Sequence, residues 1–206
     1  MANRDTSIDP RLIKSAKKHF KKYGFLGAQL SKICSDAGVT TGAVYKRYKG
    51  KEELFEAVVS DTVDKMNSIL SEARQVDPNT LSDEQLVTVW ANTEENTKVW
   101  YNRLLEMKEG LGILLNCSDG TKYSRFHDEW LDKMSDIDFA YLKVLQDRGL
   151  ADTSVTKLEL HIMVSAMWQL YTEPVIHEMS DEEVAHHCRV AGRLFNWSDA
   201  IGIRTK

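Results

Sequence analysis

At 206 residues the chain is long enough to bury a full core, and it admits either one domain or a small domain joined to a larger one. Hydrophobic residues at 42% and charged residues at 28% exclude disordered, collagen-like and coiled-coil-only chains. The net charge of −4 is uneven: residues 1–50 hold eleven Lys/Arg against Asp5, Asp9 and Asp36, a surplus of +8 that leaves −12 for the rest.

A basic module on an acidic body is the asymmetry expected when one end meets phosphates. Three prolines and eleven glycines, with plentiful Leu, Ala, Lys, Glu and Met, indicate an all-α fold rather than sheets. The start, Met1-Ala-Asn-Arg-Asp-Thr-Ser, has no apolar stretch behind its charges. The longest weakly polar run, His161 to Tyr171, falls short of the roughly 20 residues that span a bilayer, so the expectation is a cytoplasmic protein with no membrane partner.

In chain order, Asp9-Pro10 is a start signal, with Asp placed to cap and Pro at the first helical position. Leu12, Ile13, Ala16, Phe20 and Tyr23 then recur at helical spacing, predicting a first helix to about Lys22. Gly24 and Gly27 break the pattern. Leu30, Ile33, Cys34 and Ala37 mark a second helix that ends at Gly38, a natural left-handed cap. Val39 returns the chain to the core, and Thr40 is placed to cap a short third helix before Lys49-Gly50. Tyr45 reads two ways, as an inner-side marker with Val44 and Tyr48, or on the outer face with its phenol free.

Two short helices joined by Ala37-Gly38-Val39 make a helix-turn-helix, because a glycine at the turn permits positive φ. A long helix from Lys51 to about Gln75 starts with Glu52 and Glu53, which suit the positive end of its dipole, and ends before Asp77-Pro78-Asn79. Further helices are expected at about 81–92, 94–116, 120–148, 155–177 and 180–197. The expected division is a helix-turn-helix domain over 1–50 and a ligand-binding and dimerisation domain over 51–206, with the helix at 51–75 connecting them.

The stretch Ile33-Cys-Ser-Asp-Ala37-Gly38-Val39-Thr40-Thr-Gly42-Ala-Val44-Tyr45-Lys-Arg-Tyr48-Lys-Gly-Lys51-Glu52-Glu-Leu54 closely resembles the N-terminal signature of the TetR family. Ala16, Phe20 and Tyr23-Gly24-Phe25 look like that family's first helix and turn. The resemblance covers about the first quarter of the chain. It implies a one-component transcriptional regulator that binds double-stranded operator DNA as a homodimer and senses a small molecule, with no cofactor and no catalysis.

The residues agree with this. Glycine costs up to about 1 kcal/mol in a helix relative to Ala, so Gly42 on an exposed recognition helix makes sense where a side chain would collide with a groove. Thr40, Thr41, Tyr45 and Lys46 stand where hydroxyls, a phenol and an ammonium reach phosphates or base edges, and the family's contacts at matching positions imply the same. Lys51, at the start of the next helix, is expected to converge with free backbone N–H groups on one phosphate. The chain departs from the family at Ala28-Gln29, where hydroxyl residues usually cap the second helix; Gln29 is the replacement candidate for the phosphate contact.

Four of the five tryptophans fall between Trp90 and Trp168. Trp100, Leu104, Met107 and Leu111 form one helical stripe, which is either plain core or the wall of an effector pocket. Trp100, Leu104, Met107, Trp130 and Met167 are the candidate apolar contacts to an unidentified small-molecule effector. Arg103, Tyr123 and Asn96 are candidate polar anchors. Leu158, Ile162, Ser165, Ala166, Val184, Ala191 and Leu194 offer small or apolar surface for a two-fold dimer, or else internal core.

Cys34, Cys117 and Cys188 are far apart and suggest reduced thiols. His186, His187 and Cys188 cannot converge as a metal site or dyad, since adjacent helical residues point about 100° apart. Glu182 and His186 form a solvated pair unless a third metal ligand joins them. An enzyme would need a polar cluster in the central cavity, and no recognisable catalytic motif supplies one. The expected function is a repressor released from its operator by an effector. The alternative is a DNA-binding regulator of the same fold without a ligand, acting through protein partners.

Overall fold

The computed structural model describes residues 8–91 and 93–204, which leaves Arg4 and Asp5 of the basic segment, and the expected helix end at 92, outside the described residues. The described chain is all-α, with helices and turns only. It divides into two compact units, one of residues 1–66 and 107–127, the other of residues 67–106 and 128–206.

Unit 1 begins with α1 (Ile8–Gly27). Asp9 lies inside the first turn rather than at the cap, and its carboxylate pairs with Arg47 at 2.7 Å. Regular helix stops at Gly24, whose φ of 67° and ψ of 172° lie outside the helical range. α2 (Leu30–Ala37) ends at Gly38 in the left-handed conformation, φ 65°, and the Val39 N–H closes back on the Cys34 carbonyl at 3.0 Å. The Thr40 hydroxyl accepts from the Ala43 N–H at 3.2 Å and starts α3 (Thr41–Tyr45). Ser15 donates to the Ile33 carbonyl at 2.9 Å, and His19 meets Asp36 at 2.8 Å, so α1 and α2 are tied at two levels.

The first part of α4 (Lys51–Arg74) and α7 (Lys108–Asn116) complete this unit. Leu12, Phe20, Ile33, Val44, Leu54 and Phe55 are wholly buried in its core. Phe20 and Phe55 meet edge to face at 5.0 Å, and Phe25 joins Phe55 at 5.5 Å. A Cβ on Gly110 would stand 2.0 Å from the Thr62 hydroxyl, so glycine is what lets α7 approach α4.

Unit 2 holds the end of α4, a single 3-10 turn at Pro78–Thr80, α5 (Asp83–Val89), α6 (Glu94–Leu105), α8 (Phe126–Asp147) from Asp128 onward, α9 (Lys157–Ile176), α10 (Asp181–Leu194) and α11 (Trp197–Ala200). Capping boxes at Ser82/Gln85, Thr156/Glu159 and Ser180/Glu183 start three of these helices. The Tyr101 hydroxyl donates to the Leu170 carbonyl at 2.6 Å, and His187 bonds the same oxygen at 2.9 Å, joining α6, α9 and α10.

Two expected helices differ. The one placed at 94–116 is broken between α6 and α7, where Met107 leaves helical geometry (φ −121°, ψ 14°) as the chain passes from unit 2 to unit 1. The one placed at 120–148 starts only at Phe126, because Thr121 and Tyr123 are held in turns built on Ser118 and on Gly120 at φ 83°. Among the described residues no helix is long and apolar enough to cross a membrane.

Candidate DNA interface and ligand cavity

On α3, Val44 is wholly buried and anchors the helix to the unit 1 core. Thr41, Gly42, Tyr45 and Lys46 are exposed around it, with Tyr45 58% accessible. Tyr45 is therefore an outer-face residue. Thr40 is also exposed, though its hydroxyl already serves as the cap. A Cβ on Gly42 would meet only the Thr40 hydroxyl, at 4.0 Å, so nothing inside the protein requires glycine there. Gln29 occupies the N-cap of α2 in extended backbone with no side-chain capping bond, and its amide is exposed.

Lys51, expected from the sequence to meet a phosphate, has its ammonium engaged within the protein. Its ammonium turns back to donate to the carbonyls of Phe25 at 2.6 Å, Ala28 at 2.9 Å and Leu26 at 3.3 Å, and it lies 4.4 Å from the centre of the Phe25 ring. These are carbonyls at the end of α1, the negative end of a helix dipole, so a cation is well placed there. With three acceptors for three N–H groups, the ammonium closes that turn. Partial burial lowers its pKa from the usual lysine value.

Unit 2 carries a half-open cavity of about 350 Å³, within the range of small-molecule sites. Trp100 and Met167, both expected in an effector pocket, line it, together with Asn96, whose amide donates to the Ala91 carbonyl at 2.7 Å. Trp130 lines a smaller adjoining hollow of about 30 Å³ and packs on Trp168 at 4.5 Å. The other expected ligand residues lie elsewhere. Arg103 pairs with Glu72 at 3.0 Å, and Leu104 is wholly buried in packing outside the lining. Met107 and Tyr123 belong to unit 1, where Tyr123 packs against Phe55 and its hydroxyl donates to Glu56 at 3.5 Å. The stripe from Trp100 to Leu111 is cut by the break after α6, which is why its second half is not pocket wall.

The sequence reading missed Tyr171, Trp197 and Asp138 in the cavity wall. Trp100 stacks on Tyr171 at 6.1 Å, and Trp197 stands edge-on to Trp90 at 5.4 Å while donating to the Met167 sulfur at 3.3 Å. Asp138 was legible as an acid within the apolar run Trp130, Met134, Ile137 and Tyr141 of α8. Burial pushes its carboxyl up to about 7. The indole N–H groups of Trp90 and Trp168 are buried without a hydrogen-bond partner among the described residues.

Cys34, Cys117 and Cys188 are buried free thiols. No group of three or more His, Cys, Asp or Glu residues is gathered for a metal ion among the described residues.

The described chain is all-α, with a helix-turn-helix in unit 1 and a cavity in unit 2. Residues 12–58 match the family model described as bacterial regulatory proteins, tetR family. Over these residues the chain is similar to the N-terminal domain of bacterial tetR-family regulatory proteins.

The whole fold is similar to solved regulators. SCO3833 from Streptomyces coelicolor A3, a member of the TetR transcriptional regulator family, is 20% identical with a TM-score of 0.59, covering 94% of this chain and 91% of that one. SmeT, the repressor of the Stenotrophomonas maltophilia multidrug efflux pump SmeDEF, is 16% identical with a TM-score of 0.55, covering 99% and 92%. FadR from Bacillus subtilis, solved in complex with stearoyl-CoA, is 16% identical with a TM-score of 0.54, covering 90% and 96%. At these identities the likeness is one of fold. No curated protein matches the chain.

Proposed function

We propose that the protein is an operator-binding repressor, acting as a homodimer, whose hold on DNA is released by a small molecule bound in the unit 2 cavity. The observation that carries this reading is the cavity itself, an aromatic-walled space in a unit that a purely architectural partner of DNA would pack solid. SmeT, a repressor, and FadR, which takes stearoyl-CoA, support it by fold. The cavity favours a sensor over a regulator that works through protein partners alone.

Gln29, Thr41, Gly42, Tyr45 and Lys46 are the proposed DNA contacts, with Thr40 positioning the helix. The dimer surface is proposed on α9 and α10, where Leu158, Ile162, Ala166 and Leu194 are exposed and Ser165 is half-buried. Val184 and Ala191, counted with them from sequence, are buried within unit 2 and belong to its core. An effector can release DNA only through different affinities for the two dimer states, a coupling of typically about 1–3 kcal/mol.

The test is fluorescence anisotropy on the DNA flanking the protein's own gene. Tyr45→Ala should weaken binding without loss of helicity, and Ile162→Glu should give a monomer by sedimentation and abolish tight binding. Unchanged affinity in both variants would refute the assignment.

A further inference from the structure

The cavity of unit 2 is walled by Trp90, Trp100, Tyr171 and Trp197, with Met134 and Met167 between them. Into this apolar surface α8 sets one carboxyl group. Asp138 follows Met134 by four residues and precedes Tyr141 by three, which puts all three on one face of the helix. It lines both the main cavity and the adjoining small hollow.

Among the described residues no Lys, Arg or His lines either space. Burial is the cause of the raised ionisation of this carboxyl group, with no compensating charge from the described residues. Asp138 is half-buried, and a carboxylate partly withdrawn from water is costly, so an amide or an apolar residue of similar size would cost the fold less. What the position does offer is a negative group at the edge of aromatic faces, an arrangement that attracts cations and repels anions.

We propose that the cavity takes an apolar, ring-bearing molecule carrying one protonated or quaternary amine, with the Asp138 carboxylate as its counter-ion and Trp100, Tyr171 and Trp197 as the faces that hold its body. The proposal rests on reading the cavity as the effector site, and it names the class of effector. Where Asp138 is ionised the same charge disfavours carboxylate and phosphate ligands, because their burial beside it would place two like charges together.

The probes are three molecules with one aromatic body: 1-naphthylmethylamine, 1-naphthylmethanol and 1-naphthoate, titrated calorimetrically into the full chain at about pH 8, where Asp138 is ionised. The amine should bind most tightly and naphthoate least. Asp138→Asn should weaken the amine about thirtyfold or more and change the alcohol by no more than about twofold. Asp138→Glu, which keeps the carboxylate, should keep the ranking, and the melting curve of each variant shows that it is folded. Equal binding of amine and alcohol, or amine affinity that survives Asp138→Asn, overturns the assignment. If the alcohol binds and releases operator DNA as well as the amine does, the cation is wrong and the sensor reading stands. If none of the three binds, both fall.

Discussion

The two units use their aromatic residues in opposite ways. In unit 1, Phe20, Phe25 and Phe55 meet edge to face inside a core whose Leu12, Ile33, Val44 and Leu54 are wholly buried. In unit 2, Trp90, Trp100, Tyr171 and Trp197 stand around about 350 Å³ of space with a carboxyl group in its wall. The difference teaches what each unit is built to do. A unit that presents α3 as a fixed surface gains from dense packing, since each buried ring holds the presented helix in one place. A unit that admits a molecule gives up that packing, and keeps dispersion contacts unmade until something fills the space.

The comparison can be broken most decisively by truncating one ring in each unit. Phe20→Ala should cost about 3–5 kcal/mol in denaturant unfolding. Trp100→Ala, at a wall already facing empty space, should cost clearly less, and an equal loss would mean that the cavity is not an open part of the native structure.

A second and somewhat smaller effect concerns Asp138. Its folded pKa of about 7 lies above the ordinary 3.8, so between these values the folded protein holds a proton that the unfolded chain has lost. Stability from this group is therefore present in full below about pH 4 and is lost as pH rises to about 7. Asp138→Asn should leave stability near that of the parent at about pH 4 and raise it by up to about 4 kcal/mol at about pH 8, measured by thermal unfolding. The other ionisable groups of the wall, Tyr141 and Tyr171, have phenols raised by burial and stay neutral through this range. A flat difference across pH would show that Asp138 is solvated.

Lys51 sharpens the contrast from the side of unit 1. Lys51→Met keeps the length of the side chain but leaves the carbonyls of Phe25, Leu26 and Ala28 without their donor, so stability should fall by about 1–3 kcal/mol. If stability holds while the salt dependence of operator binding drops by about one unit, the ammonium is a phosphate ligand after all.

The smallest effects belong to α3. Thr40→Ala should cost about 1 kcal/mol through the lost cap. Gly42→Ala should add up to about 1 kcal/mol, since its Cβ meets nothing nearer than the Thr40 hydroxyl at 4.0 Å, while weakening operator binding. A gain in both would remove the reason for glycine at the interface.

What the sequence determined by itself was local. The left-handed Gly38, the Thr40 cap, the buried Val44 and the start of α4 follow from the spacing of apolar residues and from capping chemistry within a few positions, and each stands in the structure as the residues imply. The tertiary structure decided the rest, because it depends on residues far apart in the chain. Gly110 could be read only as a helix weakener until Thr62, 48 positions earlier, was seen beside it. The helix expected across 94–116 had no proline or cap signal at Met107, yet it breaks where the chain leaves one unit for the other. Lys51 carries no mark of whether its ammonium faces a phosphate or the carbonyls at the end of α1, some 25 residues back. An aromatic stripe likewise reads the same whether it packs a core or walls a cavity. Only the placement of α8 and α9 makes Trp100, Met167 and Asp138 neighbours, and it does so because space between helices is a property of their packing, with no periodicity of its own to record it.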